Sequence, residues 1–210
     1  MRIRAILSAF VLALAAFLVG CAPCPQAADY MPLDAGRSYI YNFVPKMNTE
    51  MIQKVKVEYE KATFNGKECT VLKHFSKVPM LRQHHFYGIE EDQVVSYGSE
   101  MFKGLPNEMK LTFNPPAVIL QPFPSPNSAW ISQGEVSIAG RTSEYKAESV
   151  VLGYNIITVP AGEFECVGIQ TTVEVLNSMN VTETVWLAEG IGMIKSENDF
   201  GVFELESYSK

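Results

Sequence analysis

Four cysteines and three histidines are the most chemically versatile residues of this 210-residue chain, and their spacing limits what they can do. Cys21 and Cys24 stand three apart, the spacing of a redox dithiol or of half a metal knuckle. A redox pair normally opens a helix next to a βαβ pattern. Pro23 and Pro25 flank Cys24 and no such pattern follows, which argues against that chemistry. His84 and His85 are adjacent, so on a strand they leave opposite faces and cannot share one metal. His74 is too isolated to complete a site by spacing, and no metal site is expected. Ser143-Glu-Tyr-Lys146 spells the S-x-x-K of acyl-enzyme chemistry, but it lies in a strand-like run without a following S-D-N or K-T-G. No G-x-S-x-G, Walker loop, dinucleotide fingerprint, HExxH or calcium loop is present. The chain is therefore read as a non-enzyme, with no catalytic residue assigned and no cofactor.

The cysteine pair makes better sense from what precedes it. Met1 to Arg4 is basic, and Ala5 to Gly20 is uncharged and rich in Ala, Leu, Val and Phe. That is the layout of a secretory signal, whose apolar core runs about 7–15 residues, against about 20 for a spanning helix. The alternative is a retained anchor, because the uncharged run extends to Cys24. Leu18-Val-Gly-Cys21 resembles the lipobox of bacterial lipoprotein precursors. The resemblance implies a helical signal peptide over residues 1–20 and a Cys21 that is diacylated, becomes the new N-terminus and is then N-acylated. Residues 21–29 are then the lipidated cysteine and a short tether. Ala22, in place of Asp, implies the outer membrane facing the periplasm in a host with two membranes. Each buried methylene contributes about 0.8 kcal/mol, so a three-chain anchor is in effect permanent.

Removal of residues 1–20 leaves 190 residues carrying 15 basic and 23 acidic side chains. A single domain of this length buries about 70% of its unfolded surface. A net acidic chain without a Lys/Arg cluster is a poor partner for nucleic acid, and its attachment to the membrane rests on the lipid alone.

Beyond the tether the pattern is β. Met51, Val55, Val57 and Tyr59 alternate with Lys54, Lys56, Glu58 and Glu60 at period two. Asn65-Gly66 is a strong hairpin signal, and Cys69 to Phe75 returns as the partner strand. Val159-Pro-Ala-Gly162, Gly190 and Gly192 read as turns. No helical stripe occurs outside the leader. The chain also repeats once. Tyr39 corresponds to Trp130, Phe64-Asn-Gly-Lys-Glu-Cys69 to Val159-Pro-Ala-Gly-Glu-Phe-Glu-Cys166, and Phe86-Tyr87 to Val185-Trp186. Residues 114–126 hold five prolines and are expected to be a crossover, not an interior strand. The expected fold is all-β: an antiparallel, strongly curved sheet or barrel-like domain over residues 30–210, built from similar halves at about 30–113 and 127–210.

Tyr30-Met-Pro-Leu-Asp-Ala-Gly-Arg-Ser-Tyr-Ile-Tyr41 resembles the opening of the TapB-like secreted β domains of unknown function. Val159 to Cys166 and Thr184 to Gly192 resemble two further segments of that group. Tyr39 stands where the group prefers Trp, and Glu163 where it prefers Thr. The resemblance implies a β fold akin to the curved sheet of periplasmic lipoprotein carriers, and it supplies no site residues.

The expected function is a lipid-anchored, non-catalytic binding module of the cell envelope for an apolar or amphiphilic ligand. Phe75, Met80, Phe86, Tyr87, Met101, Phe102, Phe113 and Phe123 are the aromatic and Met surplus that suggests an apolar face, although core filling is the better account of most of them. The alternative is a structural or assembly lipoprotein acting through an envelope protein partner, by a sheet edge or the Pro-rich crossover. With Cys21 acylated, three thiols remain in an oxidising compartment, and Cys24 in the tether is the odd one. Cys69 and Cys166 hold matching places in the two halves, so a disulfide between them is one expectation. Two buried reduced thiols are the other.

Overall fold

Period-two alternation becomes twelve antiparallel strands among the described residues, each hydrogen-bonded to its neighbours in sequence, with the last closing on the first. The computed structural model describes residues 25–122, 124–176 and 179–210. The leader, Cys21, Cys24 and Phe123 lie outside these. Helix α1 (Ala27–Tyr30) comes first, then β1 (Ser38–Pro45), β2 (Gln53–Phe64), β3 (Lys67–Ser76), β4 (Gln83–Glu90), β5 (Gln93–Met101) and β6 (Met109–Leu120). The second set is β7 (Ala129–Ile138), β8 (Arg141–Val159), β9 (Gly162–Val175), β10 (Met179–Ala188), β11 (Gly192–Asn198) and β12 (Gly201–Ser209). The expected halves thus correspond to six strands each, and closure leaves no sheet edge for aggregation or augmentation.

Asn65-Gly66 turns β2 into β3, with φ of 50° and 81°. That pair of positive angles is the hairpin geometry that matches strand twist, and it is why Asn and Gly stand there. Val55, Val57 and Tyr59 point inward and are buried, whereas Lys54, Lys56 and Glu60 face outward. Charge on the outer wall is the reverse of the apolar band of a membrane-spanning barrel. Outer pairs such as Lys195–Glu204 at 3.0 Å are surface contacts contributing about 0–1 kcal/mol each.

Two expectations change. Residues 114–120 belong to β6 despite Pro115 and Pro116. Pairing with β5 passes from Thr112 directly to Ala117 through an irregularity, and pairing with β7 ends at Asn114. The prolines sit in that gap, where no ladder donor is required, so the crossover between halves shrinks to 121–128. Gly98 lies opposite the same irregularity at φ +152°, where any Cβ would run into the Leu111 carbonyl. The second change concerns the tether. Ala27 to Tyr30, placed mostly in a free tether by sequence, form α1. The Asp29 carboxylate accepts the Gln26 N–H at 2.7 Å, and Ala27 and Tyr30 are 0% and 6% exposed.

Strand alternation sorts the loops onto two barrel ends. The N-terminal segment, the β2–β3, β4–β5, β8–β9 and β10–β11 turns and the C-terminus share one end, here the N-terminal end. Segments 46–52, 77–82 and 102–108 share the distal end. Helix α1 sits in the mouth at the N-terminal end. Gly190 donates its N–H to the Asp29 carbonyl at 2.7 Å, and Ala27 and Tyr30 pack on Val94, Leu120, Trp130, Val151 and Val167. Beside this plug, Tyr39, Tyr41, Tyr59, Ile194 and Leu205 form the cluster at the β1–β12 seam.

Candidate site in the barrel mouth

Twelve strands enclose more space than side chains alone fill, and α1 fills only part of the mouth. What remains is a cleft of about 920 Å³ between segment 28–37 and the inner wall of β2, β3 and β4. Lys61, Thr63, Glu68 and Ile89 form its upper wall and Tyr87 lines it more deeply; Pro32, Leu33 and Arg37 face them. The plug side is fastened at several points. Thr70 Oγ1 donates to the Leu33 carbonyl at 2.6 Å, and Arg37 donates to Asp34 at 2.9 Å and to the Gly190 carbonyl at 3.1 Å. Lys61 and Glu68 engage in no ion pair among the described residues. The cleft is therefore amphiphilic, with apolar Pro32, Leu33 and Ile89 beside unpaired charges of both signs.

Tyr87 leads from the cleft to polar side chains inside the barrel. Burial pushes its phenol pKa up, and the charge of Glu183, on β10 across the barrel, adds to the shift. Glu183 accepts a hydrogen bond from Ser196 Oγ at 3.0 Å. Burial raises its carboxyl above the usual range, and hydrogen bonds from Ser196 and Asn198 partly offset this. His85 stands beside Tyr87 with ring centroids 6.2 Å apart, and beside His74 at 5.0 Å. Desolvation, with a lesser contribution from His84, lowers His85 to about 4. Desolvation and the neighbouring histidines lower His74 well below its usual value. Both rings are therefore neutral at pH 7. His84 points to the other face, with Nδ1 3.6 Å from Glu100.

Sequence reasoning separated His74 from His85; the β3–β4 register, with Leu72 opposite His85, brings them together. No group of three or more His, Cys, Asp or Glu among the described residues could hold a metal. Glu183 was missed, although a carboxylate on the same strand face as Val185 and Leu187 was a readable signal. Ser143 and Lys146 lie on opposite faces of β8, with Lys146 paired to Glu148 outside. Of the two expectations for Cys69 and Cys166, free buried thiols are the one observed. Strands β3 and β9 stand six places apart round the barrel, and the two cysteines pack in separate clusters, with Phe86 and with Ile194. The expected aromatic face is dispersed as well. Phe86 stacks on Phe64 at 4.2 Å, Phe113 tilts on Tyr145 at 4.9 Å, and Phe75 and Met80 are 46% and 50% exposed. Of that set, Tyr87 alone lines the mouth cleft among the described residues.

Residues 126–210 match the DUF3108-like family. The match spans β7 to β12, the second half of the barrel, and comprises less than half of the chain. No curated protein matches. Among solved structures, a candidate lipoprotein from Parabacteroides distasonis is 12% identical with a TM-score of 0.54, covering 90% of this chain and 100% of its own. A candidate exported protein with a YmcC-like fold from Bacteroides fragilis is also 12% identical, with a TM-score of 0.50, covering 89% and 100%. At this identity the likeness is one of fold alone.

Proposed function

We propose that the protein is a lipid-anchored, non-catalytic binding module of the cell envelope, whose barrel mouth takes an amphiphilic ligand from the membrane to which it is tethered. The observation that carries this reading is the amphiphilic cleft beside α1, at the end of the barrel where the chain enters. Cys21 precedes Gln26, which is hydrogen-bonded to Asp29, by five residues, a span of at most about 18 Å. With Cys21 lipidated, the mouth is then held close to the bilayer and faces it.

The proposal has a two-part test. Radiolabelled palmitate should enter the wild-type protein in cells and not Cys21→Ala. Organic extraction of the purified wild type, followed by mass spectrometry, should release an amphiphile at about one per chain. A Cys21→Ala protein that stays labelled, or a wild type that carries no amphiphile, counts against the reading. The second reading, a protein-assembly role, is favoured by one observation: Met47, Ile52 and Phe200, at 100%, 58% and 58% exposure, crowd the distal end. A stoichiometric protein in the same preparation would support it.

A further inference from the structure

We propose that the mouth selects an amphiphile with a zwitterionic head group, a phosphate joined by a short link to an ammonium. Lys61 and Thr63 receive the phosphate, and Glu68 receives the ammonium. This rests on the reading of the mouth as an amphiphile site and adds the charges of the head group.

The β2–β3 register places these three side chains together. Lys61 stands opposite Thr70, and Thr63 stands opposite Glu68. Val55, Val57 and Tyr59 mark the inner face of β2, and Lys61 and Thr63 continue it at the same period. Thr70 faces the same way, since its hydroxyl reaches the Leu33 carbonyl at 2.6 Å. Lys61, Thr63 and Glu68 therefore share the wall of the cleft, with Lys61 and Glu68 as diagonal neighbours. Long side chains on such a diagonal come within reach of one another, as Glu60 and Lys73 do at 2.5 Å on the outer face of the same hairpin. Lys61 and Glu68 form no such pair, and the Thr63 hydroxyl bonds to no other described residue.

The other charges of the cleft are already engaged. Asp34 pairs with Arg37 at 2.9 Å, Arg37 also donates to the Gly190 carbonyl, and the Asp29 carboxylate accepts the Gln26 N–H. What is open to a ligand is one ammonium with a hydroxyl beside it and one carboxylate on the next strand. A phosphate oxygen accepts from both the Lys61 ammonium and the Thr63 hydroxyl. An ammonium a few bonds away from that phosphate falls at Glu68. A head of single charge satisfies one of the two sites and meets like charge at the other. A direct Lys61–Glu68 contact at this exposed position would be weak, so it yields to a ligand that brings both charges together. Pro32, Leu33 and Ile89 supply apolar surface beside the head for the chains.

The test titrates three probes by calorimetry into the full-length protein in maltoside micelles, with empty micelles subtracted. Dihexanoyl phosphatidylethanolamine carries both charges, dihexanoyl phosphatidylglycerol carries the phosphate alone, and glycerophosphoethanolamine is the zwitterionic head without chains. The ethanolamine lipid should bind about tenfold tighter than the glycerol lipid and tighter than the chainless head. Glu68→Gln should bring the two lipids to within about twofold of each other. Lys61→Gln should weaken both, and Glu68→Lys should reverse the preference. Both positions are exposed, so each variant should melt with the wild type. Equal affinity of the two lipids in the wild type overturns the proposal without any variant, and so does a Glu68→Gln protein that keeps the preference. In both cases the amphiphile site itself would stand. A chainless head that binds as tightly as the lipid supports the head-group assignment and overturns the amphiphile reading. Absence of binding by all three probes would sink both.

Discussion

Tyr39→Ala should destabilise the barrel by about 3–5 kcal/mol, the range for removing a buried aromatic side chain. Tyr39 is 1% exposed and stands on β1, the strand that closes on β12. Its ring lies 5.1 Å from Tyr59, 6.1 Å from Tyr41 and 6.4 Å from Tyr208. Its hydroxyl donates to the Ile191 carbonyl at 2.7 Å, which ties the seam to the β10–β11 turn beside the plug. Alanine would leave a cavity and an unsatisfied carbonyl together. Tyr39→Phe removes only the hydroxyl, which donates to Ile191 and accepts from Arg37, and should cost about 1 kcal/mol. Since domains are commonly stable by about 5–15 kcal/mol, the alanine variant should sit near the edge of folding while the phenylalanine variant remains folded. Urea denaturation of the two variants checks this; a loss below about 1 kcal/mol for Tyr39→Ala would show that the seam is held elsewhere.

Acid should weaken the fold through His85. Its folded pKa is about 4, below the ordinary value near 6.5, so between those values the unfolded chain binds the extra proton. Stability from neutral His85 is therefore complete above about pH 6.5 and is lost progressively as pH falls toward 4. A depression of that size corresponds to a loss on the order of 3 kcal/mol. His74, also depressed by burial, acts in the same direction. Glu183 acts oppositely, because its raised pKa favours the folded state when it is protonated. The difference between wild type and His85→Gln isolates one residue. Denaturant midpoints measured from pH 7 to pH 4 should fall more steeply for the wild type than for the variant, and parallel curves would refute the buried neutral imidazole.

Much of the architecture was legible because period-two alternation is a local signal. The β2–β3 hairpin follows from Asn65-Gly66, and the repeat was readable from matched positions. Tyr39 on β1 corresponds to Trp130 on β7, and both are buried, at 1% and 7% exposure. Closure itself was not legible, because the pairing of β1 with β12 joins the extremes of the domain and leaves no local trace. Helix α1 has four residues, one turn, too short for a periodic stripe; its helical state follows from burial in the mouth and not from propensity. The prolines of β6 misled for a physical reason. Their missing donors forbid a regular ladder, and the structure answers with a pairing irregularity instead of a loop. The mouth cleft joins segment 28–37 to three strands that are remote from it in sequence, so no motif could announce it. The weaker alternative, a bridge between Cys69 and Cys166, rested on matched positions in the two halves, and β3 and β9 stand on opposite sides of the closed barrel.

The central claim is that the barrel mouth holds an amphiphile from the adjoining membrane. A photo-crosslinking amino acid placed at Ile89, which lines the cleft and is 51% exposed, tests it most directly. After irradiation of cells producing the full-length protein, intact-mass spectrometry should find an adduct of lipid size, absent when the same crosslinker replaces Ile131 on the outer wall. An adduct of protein size at Ile89, or the same lipid adducts at both positions, would contradict the account.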